Sequence, residues 1–462
     1  MLSTTPIADE VIALNRFGLG ARADEPTPAD ARRWLRDQFD RHEIVPAAFV
    51  SARACAEIAA EFSEIRLDMK GGDKEVNKAA RKALRKKGQE LYRSEVDMRA
   101  LAALGTPTPF IERLVHFWSN HFAVSANKPQ VTVMAGAFER EAIRPHVLGR
   151  FQDMLLAVER HPAMQSFLDQ IRSTGPNSPA ARRAAARNAP GKRGINENLA
   201  REIMELHTLG VRSGYSQKDV TEFALALTGW SVGRPRAERE EEPGVFTFRS
   251  GLHEPGPRTI MGRTYNQPGE GQAIAILRDL ASSEATAKHI ATKLARHFIA
   301  DEPPATAVER LSAAFSQSGG NLPMVYEALI NAPEAWISQP VKFKTPWEWI
   351  ISALRGLGRQ DIGGFSFAPL LNQLGQPVWR PGSPAGYDDI AASWAAPGAL
   401  VRRVELVQRL VAKTGDGSDP RNLARKLFPN SLSPLTESEI GRAESARTGL
   451  ALLLVSPEFL RR

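Results

Sequence analysis

Between Asn196 and Gly210 the chain reads Asn-Glu-Asn-Leu-Ala-Arg-Glu-Ile-Met-Glu-Leu-His-Thr-Leu-Gly. Acids, amides, a guanidinium and an imidazole are crowded into a few helical turns. In such a patch Glu202 or Glu205 would serve as a general base or a metal ligand. Arg201 would hold an anionic group or the charge of a transition state. Asn196 and Asn198 would bind substrate, and His207 closes the run as a further ligand candidate.

A helix is what must position them. On a regular helix Leu199, Ile203 and Leu206 share a buried stripe, while Asn198, Arg201, Glu202 and Glu205 fall within an arc of about 100° beside it. Gly210 stands where a left-handed C-terminal residue is wanted. The spacing limits His207, which follows Glu202 by five residues and Glu205 by two. It points away from both unless the last turn unwinds. A divalent metal would therefore need His121, Glu202, Glu205 and His207 to meet from neighbouring helices, as in helical bundles. No sharp ligand spacing such as His-Glu-x-x-His is present.

Other segments offer partners. The run Phe110 to Phe122 places His121 inside an apolar arc, with His116 and Asn120 on the opposite side. A histidine there is either a satisfied core residue or a base held in an apolar wall. Glu139, Arg140 and Glu141 precede a proline break and read as a salt-bridged turn that could complete a site. His253 lies in a long irregular stretch beside Glu254 and Arg258. Trp230 begins that stretch, and Trp379, Tyr387 and Trp394 punctuate a second one, where they either anchor a loop or stack on a flat ligand. Asn120, His253, Trp230 and Trp379 thus join the expected substrate contacts, and His121 joins Glu202, Glu205 and Arg201 as catalytic candidates.

Nearly everything else reads helical. The expected fold is all-α, a large multi-helix globular domain with two long irregular Gly/Pro-rich lids, at 230–265 and 375–397. It divides into an N-terminal helical region (1–105), a central core carrying the motif and the first lid (106–345) and a C-terminal region (346–462), expected to fold as one integrated domain. The 462 residues can bury a large core, and no run of eighteen apolar residues is present. The opening residues lack the charged-then-apolar pattern of a signal peptide, which points to the cytoplasm. One cysteine, Cys55, excludes an internal disulfide framework.

The formal net charge of +8 would suit an acidic partner. The surplus gathers in Lys74 to Arg93, read as a solvated helix with interleaved acids, and in Arg172 to Arg193, read as a loop. Aromatics do not interleave with these bases, which argues against a nucleic-acid platform.

Several short motifs recur in a distinctive order: Leu14-Asn15-Arg16-Phe17-Gly18-Leu19-Gly20, Phe117-Trp118-Ser119-Asn120-His121-Phe122, the Asn196–Gly210 run, Tyr215-Ser216-Gln217-Lys218-Asp219-Val220, Thr228-Gly229-Trp230, Lys344-Thr345-Pro346-Trp347-Glu348 and Leu374-Gly375-Gln376-Pro377. Across essentially the whole chain this resembles the bacterial family catalogued as domain of unknown function 1800. The resemblance carries no established activity. It implies a neighbouring gene for a sulfatase-like protein with a twin-arginine export signal, hence an envelope role and co-export to the periplasm with that partner. Three readings follow: a hydrolase-like or metal-dependent enzyme with a polar cleft; a noncatalytic partner or maturation factor of the exported protein; and a binding module for acidic polymers.

Overall fold

Many helices open on a short polar residue whose side chain accepts from the first turn. Ser178, Ser283, Asn321, Thr345, Asp419, Ser433, Ser445 and Ser456 all do so, often with proline just behind. The computed structural model describes residues 7–68, 74–187, 194–233, 241–413 and 419–462. Within them the fold is all-α: twenty-three α-helices with two small antiparallel pairs. The pairs, Trp230–Val232 with Phe246–Phe248 and Arg258–Ile260 with Arg263–Tyr265, both lie in the first irregular stretch. One hydrophobic core runs from Val11 to Leu460, with Phe17 stacked on Phe298 and Trp336 near its middle. Among the described residues no helix is long and apolar enough to cross a membrane.

Three π-helical turns interrupt the α-helices, at Ala13–Phe17, Glu139–Ile143 and Ile203–His207. Each falls in or beside a segment singled out by its sequence, and such turns concentrate at functional sites. The first buries Arg16, which donates to the carbonyls of Ala335 (2.6 Å) and Gln339 (2.9 Å). The third corrects the regular helix expected for Asn196–Gly210. That segment is α-helical only over Asn198–Glu202, then widens, and the Thr208 hydroxyl satisfies the Ile203 carbonyl (2.6 Å).

Two smaller expectations also change. Within a chain expected to be helical nearly throughout, the stretch after Pro145 becomes α-helical only at Phe151, because the Gly149 amide closes a turn on the His146 carbonyl and the Phe151 amide bonds to Gly320. The basic stretch after Arg172 contains a short helix, Pro179–Ala186, capped by Ser178 and carrying Arg182 and Arg183. Lys192 and Arg193 lie outside the described residues, as do 234–240 of the first irregular stretch.

Candidate functional site

The helix Pro109–His121 is buried on nearly every side, although it carries charged residues. Burial at that level requires paired charges. Glu112 takes both terminal nitrogens of Arg144 at 2.7 Å. Arg113 donates to the Gly18 carbonyl (2.7 Å) and pairs with Glu348. His116, on the side opposite the apolar arc, is enclosed. Its Nδ1 accepts from the Trp347 indole at 3.2 Å, and its Nε2 lies 3.3 Å from Glu112. Burial, then Arg99, pushes the His116 imidazole down to about 4.

The last turn of this helix forms one wall of a cavity of about 360 Å³. Pockets of this size take metabolite-sized molecules. The opposite wall is the helix Glu284–Phe298, and the rim is the second irregular stretch from Gln376 to Asp389. Asn120 ties rim to wall, with its Nδ2 donating to the Tyr387 carbonyl (2.9 Å) and its Oδ1 accepting from the Tyr387 amide (2.7 Å). Trp379 turns inward with φ +50°, and its indole donates to Glu139 (3.0 Å). Glu139 also pairs with Arg99 (2.9 Å), whose guanidinium lies over the Trp347 ring.

At the cavity's rear sits the end of the central motif. His121 Nε2 donates to the His207 carbonyl (3.1 Å) and His289 Nε2 to that of Leu206 (3.0 Å). These carbonyl acceptors fix the proton on Nε2 in both rings. Burial, then Lys293, holds the two imidazoles neutral: His289 falls to about 4 and His121 lies well below its usual range. Gly210, at φ +89°, lets the chain pass close behind His289; a Cβ there would stand 2.9 Å from Nδ1.

A buried charge network closes the far end. Glu348 accepts from Arg113 and forms an ion pair with Arg462, and its other oxygen caps its own helix at Thr345. Asp389 meets His297 (2.5 Å), Lys342 (3.2 Å) and Arg462 (3.8 Å). Burial alone would raise both carboxyl groups. Arg462 and Arg113 for Glu348, and chiefly His297 and Lys342 for Asp389, instead hold them well below the carboxylate range.

Lys293 stands apart. Arg99, Arg113, His116, His121, His289, Arg296, His297, Glu348, Tyr387, Asp388 and Asp389 all line the cavity, and each makes a hydrogen bond or ion pair. Among the described residues Lys293 makes neither. Protein surrounds it apart from the cavity, and this burial lowers its ammonium to about 8.

The residues singled out by sequence separate into two groups. His116, Asn120, His121, Trp379 and Tyr387 line the cavity, and the motif adds only Leu206. The other candidates lie elsewhere. Arg201 faces outward among Glu197, Glu205 and Gln217. Glu202 is half-buried, and burial raises its carboxyl while His207 opposes the rise. Asn196, two residues before the motif helix, accepts from the Asn198 amide (2.9 Å). His207 is fully buried on Glu159 (2.7 Å). His253 meets the Thr228 carbonyl (2.8 Å), and Trp230 is buried under Phe246.

The metal candidates His121, Glu202, Glu205 and His207 do not assemble. Among the described residues one trio, Cys55, Glu141 and His161, brings its ligand atoms within 4.8 Å. There His161 Nδ1 accepts from the Ala163 amide (3.1 Å), which puts the proton on Nε2, against Glu141 at 3.2 Å. Neither ring nitrogen keeps a lone pair for an ion.

Lys293 was missed by sequence reading, although a signal was present. His289, Lys293, Arg296 and His297 recur at i, i+4, i+7 and i+8, beside the apolar stripe Ile290, Leu294 and Phe298.

The model of the family described as "Protein of unknown function (DUF1800)" matches residues 12–461. The chain belongs to the DUF1800 family. No curated protein and no solved structure matches it. Five of the seven short motifs quoted above converge in space: Leu19 of the first, Asn120 and His121 of the second, Leu206 of the third, and Thr345, Trp347, Glu348 and Gln376 of the last two line one cavity.

Proposed function

We propose that this DUF1800 protein is an enzyme whose cavity between Pro109–His121, Glu284–Phe298 and the 376–389 rim takes a small organic anion, with Lys293 as the acting group. The observation that carries this reading is the isolation of Lys293: every other ionisable wall residue has a partner inside the fold. An unpaired ammonium in a low-dielectric cavity attracts an anion far more strongly than a surface lysine does. Near neutrality it also sits close enough to its own midpoint to take and return a proton.

The aromatic walls, Trp347 and Trp379, favour a ligand with a flat or apolar portion. His121 and Asn120 act in this reading as braces. Glu202 and Glu205, first considered as catalytic, belong with Arg201 and His207 to a lock that holds the rear wall. The paired state of Arg201 with Glu205, and of His207 with Glu159, supports that assignment.

The test is thermal unfolding of the full chain with a panel of carboxylates, phosphates and sulfates, repeated with Lys293→Met. Anions that stabilise the parent protein should not stabilise the variant. Equal shifts in both proteins would exclude Lys293 from binding.

A further inference from the structure

We infer that Lys293 is a nucleophile that forms an imine with the carbonyl carbon of a small oxo acid. The inference rests on the anion-binding reading of the same cavity and names the class of anion. Three observations carry it. First, Nζ reaches the cavity without the hydrogen bond or ion pair that would hold its lone pair as a proton-bearing cation. Second, the groups around it discourage protonation: His121 across the cavity, and His289 and Arg296 on its own helix, offer no carboxylate. Asp389, the acid that acts on it, is already held by His297, Lys342 and Arg462. Third, Arg296 lies one turn beyond Lys293 on the same helix face and also lines the cavity, so a carboxylate adjacent to the carbonyl has a fixed guanidinium to meet.

The lowered ammonium value agrees with this geometry, since only the neutral amine attacks. The step balances without an oxidant. The Nζ lone pair adds to the carbonyl carbon, and the carbonyl π pair moves to oxygen, which takes a proton. The nitrogen of the resulting carbinolamine then gives up its protons as the hydroxyl leaves as water. The products are one imine and one water. Tyr387, Trp347 and Trp379 line the same cavity and would leave little room for water, which would otherwise reverse the step.

The experiment uses the full chain with glyoxylate, pyruvate or phenylpyruvate at pH 8 in the presence of cyanoborohydride, which reduces an imine to a stable secondary amine. Peptide mapping by mass spectrometry then locates the adduct. Labelling should concentrate on Lys293 in preference to surface lysines, and an excess of an anion that stabilises the protein should suppress it. Lys293→Arg should remove the adduct while keeping anion stabilisation. Arg296→Gln should weaken labelling by pyruvate and leave labelling by the neutral ketone acetone unaltered. If anions stabilise the protein through Lys293 but none of the three oxo acids labels it above surface lysines, the imine is overturned and the anion site stands. If neither effect is seen, both readings fall.

Discussion

Asn120 holds Tyr387 by both backbone groups, accepting from its amide at 2.7 Å and donating to its carbonyl at 2.9 Å. Beside it Gly386, at φ +83°, passes so close that a Cβ would stand 2.3 Å from the Asn120 carbonyl oxygen. This contact sets where the rim of the cavity lies against the Pro109–His121 helix. Asn120→Ala should cost roughly 1–3 kcal/mol by leaving two backbone groups unpaired. Hydrogen exchange should quicken at residues 383–389 while the helices keep their protection. Unchanged exchange there would mean that the rim is held by other contacts.

Gly210 links the central motif to the lysine helix. Alanine at this position would meet both a left-handed backbone and the His289 ring. Gly210→Ala should lower stability by roughly 1–3 kcal/mol. It should also weaken anion binding, because His289 and Lys293 share one helix face. Chemical denaturation and ligand titration check the two effects separately. Full stability with full affinity would show that the motif end can shift without cost.

Glu159 and His207 are both wholly buried and meet at 2.7 Å. Removing one member of such a pair typically costs about 3–5 kcal/mol, because the other remains buried without its partner. Glu159→Leu should approach that figure. Glu159→Gln should cost less, since its amide oxygen still accepts from the ring. A double-mutant cycle with His207→Phe should then give a clear coupling energy, and strict additivity would contradict a direct pair.

Lys344 provides a pH test. It is buried with its ammonium over the Phe459 ring, and burial lowers it to about 7. In the unfolded chain the same group titrates near 10.4. Between those values the unfolded state binds more protons, so this lysine makes stability rise with pH across the window. Lys344→Met should therefore stabilise the protein at pH 6 by roughly 1–4 kcal/mol. The gap between the two proteins should narrow at pH 9. A constant gap would mean that Lys344 stays charged within the fold.

Much of this architecture was readable from local rules. Prolines and hydroxyl caps stand at many helix starts, and Ser216 forms a capping box with Asp219. The turn chemistry of Gly210 was equally plain. His121, Asn120 and Trp379 were singled out for residue type and do line the cavity. What could not be read was the wide turn at Ile203–His207. No local residue preference marks it, and it turns His207 onto Glu159 from the distant Phe151–Arg160 helix. Glu202 and Glu205 stand in the densest polar run of the sequence, but density of polar groups marks mutual pairing as readily as chemistry. The structure pairs such groups with one another and leaves the solitary Lys293 exposed to the cavity, and solitude is a property of three-dimensional neighbours alone.

The wide turn at Ile203–His207 holds one residue more than an ordinary helical turn would. Deleting Met204 would restore ordinary winding without breaking the helix, yet the carbonyls at the end of the turn would be re-aimed. The Leu206 and His207 carbonyls would swing off the two imidazoles that brace the cavity. A chain so shortened would keep its helical content while its cavity lost its rear support, so a one-residue change in length here should be read as a change of site rather than of fold.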